Sequence, residues 1–146
     1  VGGNPQIKGM KKLSGSLKLA YSQYRELQSF AQFGSDLDAD TRERLDQGER
    51  IVEVLKQQQN HPMEAEKQVC IIYGAVFNLL RALSLDEIRG FMEGFNKYLD
   101  VRCRDLLKDI KENLWGESQE TQVRQALLQF LKEFKEKGNY GVNPQN

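Results

Sequence analysis

The stretch Val69–Leu80, VCIIYGAVFNLL, is the most apolar in the chain. Its apolar residues do not alternate with polar ones, as those of a half-buried strand would. They also leave no polar face, and a helix that is apolar all round is a buried one. The reading is a helix over about Met63–Ala82 that forms the buried centre of the fold. The longest apolar run, around Val69–Val76, is far too short to cross a bilayer, so no direct membrane insertion is expected.

Helical spacing continues on both sides of this centre. Toward the N-terminus, Ile7, Met10, Leu13, Leu17, Tyr21, Tyr24, Leu27 and Ala31 follow one another at steps of three and four, one face of a first helix. Asn4 is its expected cap and Pro5 its first residue. Gly9 and Gly15 weaken it, and Gly34 is its expected stop. A short helix over Ala39–Gln47, closed by Gly48, and a third over Glu49–Gln57 are expected to follow, ended by QNHP. Beyond the centre, Ser84 and Glu87 make a capping box for a helix that runs through Phe91, Phe95, Leu99, Leu106 and Ile110, with a break near Val101. Gly116 is expected to stop it and Ser118 to cap a last helix over Gln119–Lys137. This predicts an all-α fold of six or seven helices in a single domain, 1–137, followed by a flexible polar tail, 138–146.

The 146 residues carry 21 basic and 21 acidic side chains, so no overall charge points to nucleic acid or to an anionic membrane. The charge is unevenly placed. Lys8, Lys11, Lys12, Lys18 and Arg25 precede the first acid, whereas Asp36–Glu53 holds seven acids against three bases. The basic first helix suits either a phosphate or acidic partner, or simply solvent. Cys70 and Cys103 lie far apart, without metal-ligand spacing, and fit a reducing compartment.

Catalytic patterns are missing. Asp36, Asp38 and Asp40 fit positions one, three and five of a calcium loop, but the glycine needed at six is Thr41 and the glutamate needed at twelve is Gln47. Asp38 is better read as the cap of the next helix and Asp40 as a complement to its dipole, which leaves Asp36 without a role. No metal is expected. GGNPQIKG lacks the lysine–serine ending of a phosphate loop, and the single His61 has no nucleophile near it. The glutamines Gln57, Gln58 and Gln59 end a helix, and their amides can both donate and accept, which suits an adenine edge or an ordinary polar helix end.

VGGNPQIKGMKKLSGSLKL, YRELQSFAQFGSDLDADT and LKQQQNHPM, in this order, resemble the C-terminal helical domain of the alpha subunit of F-type, proton-transporting ATP synthases. The likeness is dense over Val1–Pro62, continues through EKQVCIIYGAV and thins out to about Phe134. FAQFGSDLD is its most specific part.

The resemblance implies the left-handed, superhelix-like all-α bundle of that family. It implies a regulatory, non-catalytic subunit that alternates with catalytic beta subunits around a rotating gamma shaft. The full subunit holds ATP or ADP with Mg; the isolated domain is expected to hold no cofactor and to catalyse nothing. The phosphate-binding loop, the N-terminal barrel and the arginine lent to the catalytic site belong to segments ahead of Val1, so the chain is expected to be a piece of a longer polypeptide. Gln57 and Gln59 match the outer glutamines that approach the adenine of the non-catalytic nucleotide; Gln58 stands where the family often has glycine. Phe33, Gly34, Ser35, Asp36, Leu37 and Asp38 match the loop at the rim facing the shaft. Ala82–Glu87, with Asp86 and Glu87, matches the segment that in beta carries the acidic rotor-contact motif. Pro5 and Gly9 stand where alanine is usual. The expected place is the cytoplasmic face of a bacterial plasma membrane, or the matrix side in mitochondria, as a peripheral part. The alternative is a stand-alone helical protein–protein adaptor descended from this domain.

Overall fold

The computed structural model describes residues 7–32 and 37–142, with side chains up to Lys137. Six α-helices follow one another: α1 (Lys8–Ala31), α2 (Ala39–Asn60), α3 (Ala65–Val76), α4 (Ile88–Arg102), α5 (Arg104–Lys111) and α6 (Glu117–Val142), with a single 3₁₀ turn at Leu85–Glu87 before α4. No strand occurs among the described residues. The all-α class follows the periodicity, and the helix number falls in the expected range, although two expected helices merge and another divides.

The apolar stretch is the hub. Every residue from Val69 to Ala75 is buried, and α3 packs against α1, α2, α4, α5 and α6. Tyr73 is almost wholly enclosed, and its hydroxyl accepts a hydrogen bond from Arg124 Nη2 at 3.0 Å. A second apolar layer joins α4 to α6, where Phe91 lies 5.2 Å from Phe130 and 5.4 Å from Phe134, ring centre to ring centre. Burying one such ring contributes about 1.5–3 kcal/mol.

The helix of the centre ends earlier than expected, at Val76 rather than Ala82. Asn78 has φ 57°, Leu79 N–H reaches the Gly74 carbonyl at 2.8 Å and Asn78 N–H that of Ala75 at 3.2 Å. These are the two bonds of a left-handed helix stop, built on asparagine. The same device ends α5: Asn113 has φ 69°, and Leu114 N–H reaches the Asp109 carbonyl at 2.8 Å. The stop is therefore Asn113, not Gly116, whose carbonyl already accepts from Glu120 N–H in the first turn of α6. α6 begins at Glu117, ahead of the expected Ser118 cap and Gln119 start, and its backbone runs beyond Lys137 to Val142.

Gly48 does not close a helix. α2 passes through it unbroken, and the glycine is buried against Tyr24 of α1. A Cβ there would overlap the Tyr24 ring, so the missing side chain sets the approach of α1 to α2. Nor is α1 broken at Gly9 or Gly15: Gly9 is buried under Trp115 and Val69, with room for a Cβ only at 3.1 Å from the indole, and Gly15 faces open space. Asn4 and Pro5 lie outside the described residues, but Ile7 is extended (φ −68°, ψ 157°), so the described helix starts at Lys8. Of the expected α1 face, Leu13 and Tyr24 are buried and Tyr21 turns outward. The break in the next helix falls at Cys103, where φ is −131° and ψ 36°, rather than at Val101.

Candidate functional site

The residues singled out in the sequence lie at helix ends and connections. Asp38 caps α2 as expected: its Oδ1 accepts Thr41 N–H at 2.8 Å, and that bond holds the carboxyl below its ordinary pKa. Asp40 stands in the first turn of α2. Leu37 is half-buried beside them. Phe33, Gly34, Ser35 and Asp36 lie outside the described residues.

Arg50 of α2 donates from Nε and Nη2 to the Leu83 carbonyl, at 3.0 and 2.8 Å. It thereby fixes the loop Ala82–Glu87 from one side. Lys135 of α6 fixes it from the other through an ion pair with Glu87 at 3.1 Å. Within the loop, Glu87 Oε1 accepts Ser84 N–H at 2.9 Å, which realises the capping box. The Ser84 hydrogen bond, with Lys135, keeps the Glu87 carboxyl below its ordinary pKa despite partial burial. Glu87 is thus engaged within the fold, whereas Asp86 beside it is exposed. Gln47, which falls at the glutamate position of the rejected calcium loop, donates instead to the Val76 carbonyl at 2.7 Å and satisfies the frayed end of α3.

The three glutamines occupy the last turns of α2. Gln57 Nε2 donates to Glu53 Oε2 at 2.8 Å, one turn back. Gln58 Nε2 is buried and finds no partner among the described residues. Gln59 is exposed. Gln57 and Gln59 project about 200° apart around the helix, so one flat ligand touches both only across the end of α2. His61 follows as the exposed C-terminal cap residue, its N–H on the Gln57 carbonyl at 2.8 Å. Open clefts lie elsewhere, among them one of about 710 Å³ at the α4–α5 break, one of about 560 Å³ between α2 and the turn after α3, and one of about 280 Å³ between α1 and the start of α2, lined by Asp38 and Asp40. None of these includes Gln57 or Gln59. Cys70 is buried and Cys103 half-buried; both thiols are free, and burial pushes both pKa values up.

Residues 6–134 match the family described as ATP synthase alpha/beta chain, C terminal domain. The chain belongs to this family.

Within the family it sides with alpha subunits. It is 44% identical over 135 residues to ATP synthase subunit alpha of Clostridium botulinum strain Eklund 17B, covering 92% of this chain and 27% of the relative. It is 49% identical over 113 residues to the subunit alpha of strain Hall, covering 77% of this chain and 22% of the relative. The chain therefore has the character of the C-terminal domain of an alpha subunit, and it spans about a quarter of the length of the curated relatives it matches.

For an ATP synthase domain, composition and motif reading did not bring forward Arg50 and Lys135, and gave Gln47 no part in the fold. Each acts on a distant backbone or carboxylate, and no local spacing announces such a contact. The described residues hold no group of three or more His, Cys, Asp and Glu placed for a metal ion.

Proposed function

We propose that this chain serves as the C-terminal helical domain of a regulatory, non-catalytic alpha subunit in a proton-translocating ATP synthase. It packs against beta subunits in the head, presents Phe33–Asp38 and Asp86–Glu87 toward the gamma shaft, and closes one side of the adenine pocket with Gln57 and Gln59. The complex sits as a peripheral body on the cytoplasmic face of a bacterial plasma membrane; no helix among the described residues is long and apolar enough to cross one.

The observation that carries the reading is the amide set at the end of α2. An adenine edge offers an acceptor ring nitrogen and a donating amino group, and a glutamine amide answers both. Glu53 takes one of the two Gln57 N–H donors, which leaves the other N–H and the Gln57 oxygen for the base. Gln59, exposed on the last turn, has both amide atoms to offer. When the nucleotide is bound in the full subunit, its phosphates and Mg are held by residues outside this chain, and the domain contributes recognition and closure.

The direct test uses the purified 146-residue chain. It is expected neither to hydrolyse ATP nor to retain it through gel filtration, because it carries amide contacts and no phosphate ligands. Measurable turnover overturns the reading. A stand-alone adaptor remains the competing reading, favoured by the exposed apolar residues Leu19 and Phe30. It survives only if the coding sequence holds no phosphate-binding loop upstream.

A further inference from the structure

Lys12 and Glu26 stand one heptad before and one heptad after Leu19 on the outer face of α1. Gly15 and Gln23 flank Leu19 at one turn, and Lys8 and Phe30 at three turns. All seven are exposed, Leu19 by 60% and Phe30 by 55%, although both are large apolar side chains. Nothing lies within 4 Å of a Cβ built on Gly15. No ion pair among the described residues engages Lys8, Lys12 or Glu26. The steps of three and four along this stripe are those of a coiled-coil seam, which borders at Gln23 and Glu26 a cleft toward Asp38 and Arg44 at the start of α2.

The stripe reads as its own complement when reversed. Turned antiparallel about a twofold axis through Leu19, each position meets its counterpart: Leu19 meets Leu19, Lys12 meets Glu26, Gly15 meets Gln23, and Lys8 meets Phe30. We propose that α1 pairs in this way with α1 of a second copy of the chain. The twofold interface is isologous, so each favourable contact away from the axis occurs twice. Leu19 supplies the dry centre. The Lys12–Glu26 pairs fix direction and register, since a parallel pairing would set lysine on lysine and glutamate on glutamate. Gly15 leaves space for the Gln23 side chain, and the Lys8 stem lies along the Phe30 ring with its ammonium near the ring face. A pair of helices about 36 Å long buries less surface than a permanent dimer needs, so association is weak and depends on concentration.

This pairing is independent of the nucleotide reading, and its test is separate. Sedimentation velocity on the intact chain, from micromolar to near-millimolar concentration, is expected to show a monomer–dimer equilibrium that high salt weakens. Lys12→Glu sets two like-charge pairs across the axis and should weaken the dimer about tenfold or more. Lys12→Glu combined with Glu26→Lys re-pairs the charges and should restore it. Leu19→Glu should leave the chain monomeric. Circular dichroism verifies that each variant keeps its helices; an unfolded Leu19→Glu is replaced by Leu19→Ser, for which the same loss of dimer is expected. A wild-type chain that stays monomeric throughout gives this face to another partner and overturns the proposal. So does a dimer that Lys12→Glu leaves unchanged, or one that the charge exchange fails to rescue.

Discussion

Asn113 Oδ1 accepts the backbone N–H of Lys8 at 2.9 Å, across 105 positions of the chain. One residue thereby does two things. Its left-handed backbone stops α5, and its side chain caps the first turn of α1. Ile7, in the cap position, has no side-chain acceptor to offer. Replacing Asn113 by glycine keeps the backbone geometry and removes the cap, and is expected to cost about 1 kcal/mol. Replacing it by alanine also forces a Cβ into the left-handed region and should cost about 1–2 kcal/mol more. Urea denaturation of the two variants measures both steps; equal losses would mean that the backbone conformation carries no cost of its own.

The glycines of α1 and α2 separate a structural need from a propensity defect. Gly48→Ala drives a methyl into the Tyr24 ring and should destabilise by roughly 1–3 kcal/mol, because α1 and α2 must move apart. Gly15→Ala meets nothing and should stabilise by about 0.5–1 kcal/mol. Thermal melts of dilute protein give the two signs. If Gly48→Ala were neutral, the close approach of the helices would be wrong.

Glu87 gives the fold a defined response to acid. Its hydrogen bond from Ser84 and its pair with Lys135 depress its pKa below the ordinary 4.5. A depressed carboxyl stabilises the fold above its unfolded pKa, and that contribution fades as pH falls through the folded value. Glu87→Gln keeps an acceptor for Ser84 but loses the charge. It should lower stability at neutral pH by less than about 1 kcal/mol, given the partial exposure of the pair. The difference should vanish in acid, where wild type and variant converge. Stability curves against pH that stay parallel would remove Glu87 from the clamp of this loop.

Helix class and the buried centre were legible because they rest on composition over long windows: an unbroken apolar run such as Val69–Ala75 can only be buried. Asp38 and the Ser84–Glu87 box were legible because capping acts within three residues. What was not legible depends on partners distant in sequence. Gly48 looks like a stop until Tyr24 is seen above it. Gly116 looks like a better stop than Asn113, yet asparagine also tolerates positive φ, and Lys8 gives its side chain a partner. At the candidate site, the family resemblance picks out Gln57 and Gln59 together, while the helix sets them on different sides of α2, and the buried amide of Gln58 between them, unpaired among the described residues, has no local signature.

In the proposed function, the end of α2 contacts the base of a nucleotide held by the full alpha subunit. This contact is tested most directly by Gln57→Ala with Gln59→Ala, introduced into the full-length subunit assembled with its partners. The quantity to measure is the non-catalytic nucleotide still bound per head after gel filtration. The heads are expected to assemble normally and to lose this nucleotide about tenfold faster, as the removal of two base contacts implies. Assembled heads that retain it as the wild type does would contradict the proposed contact and take both glutamines out of the site.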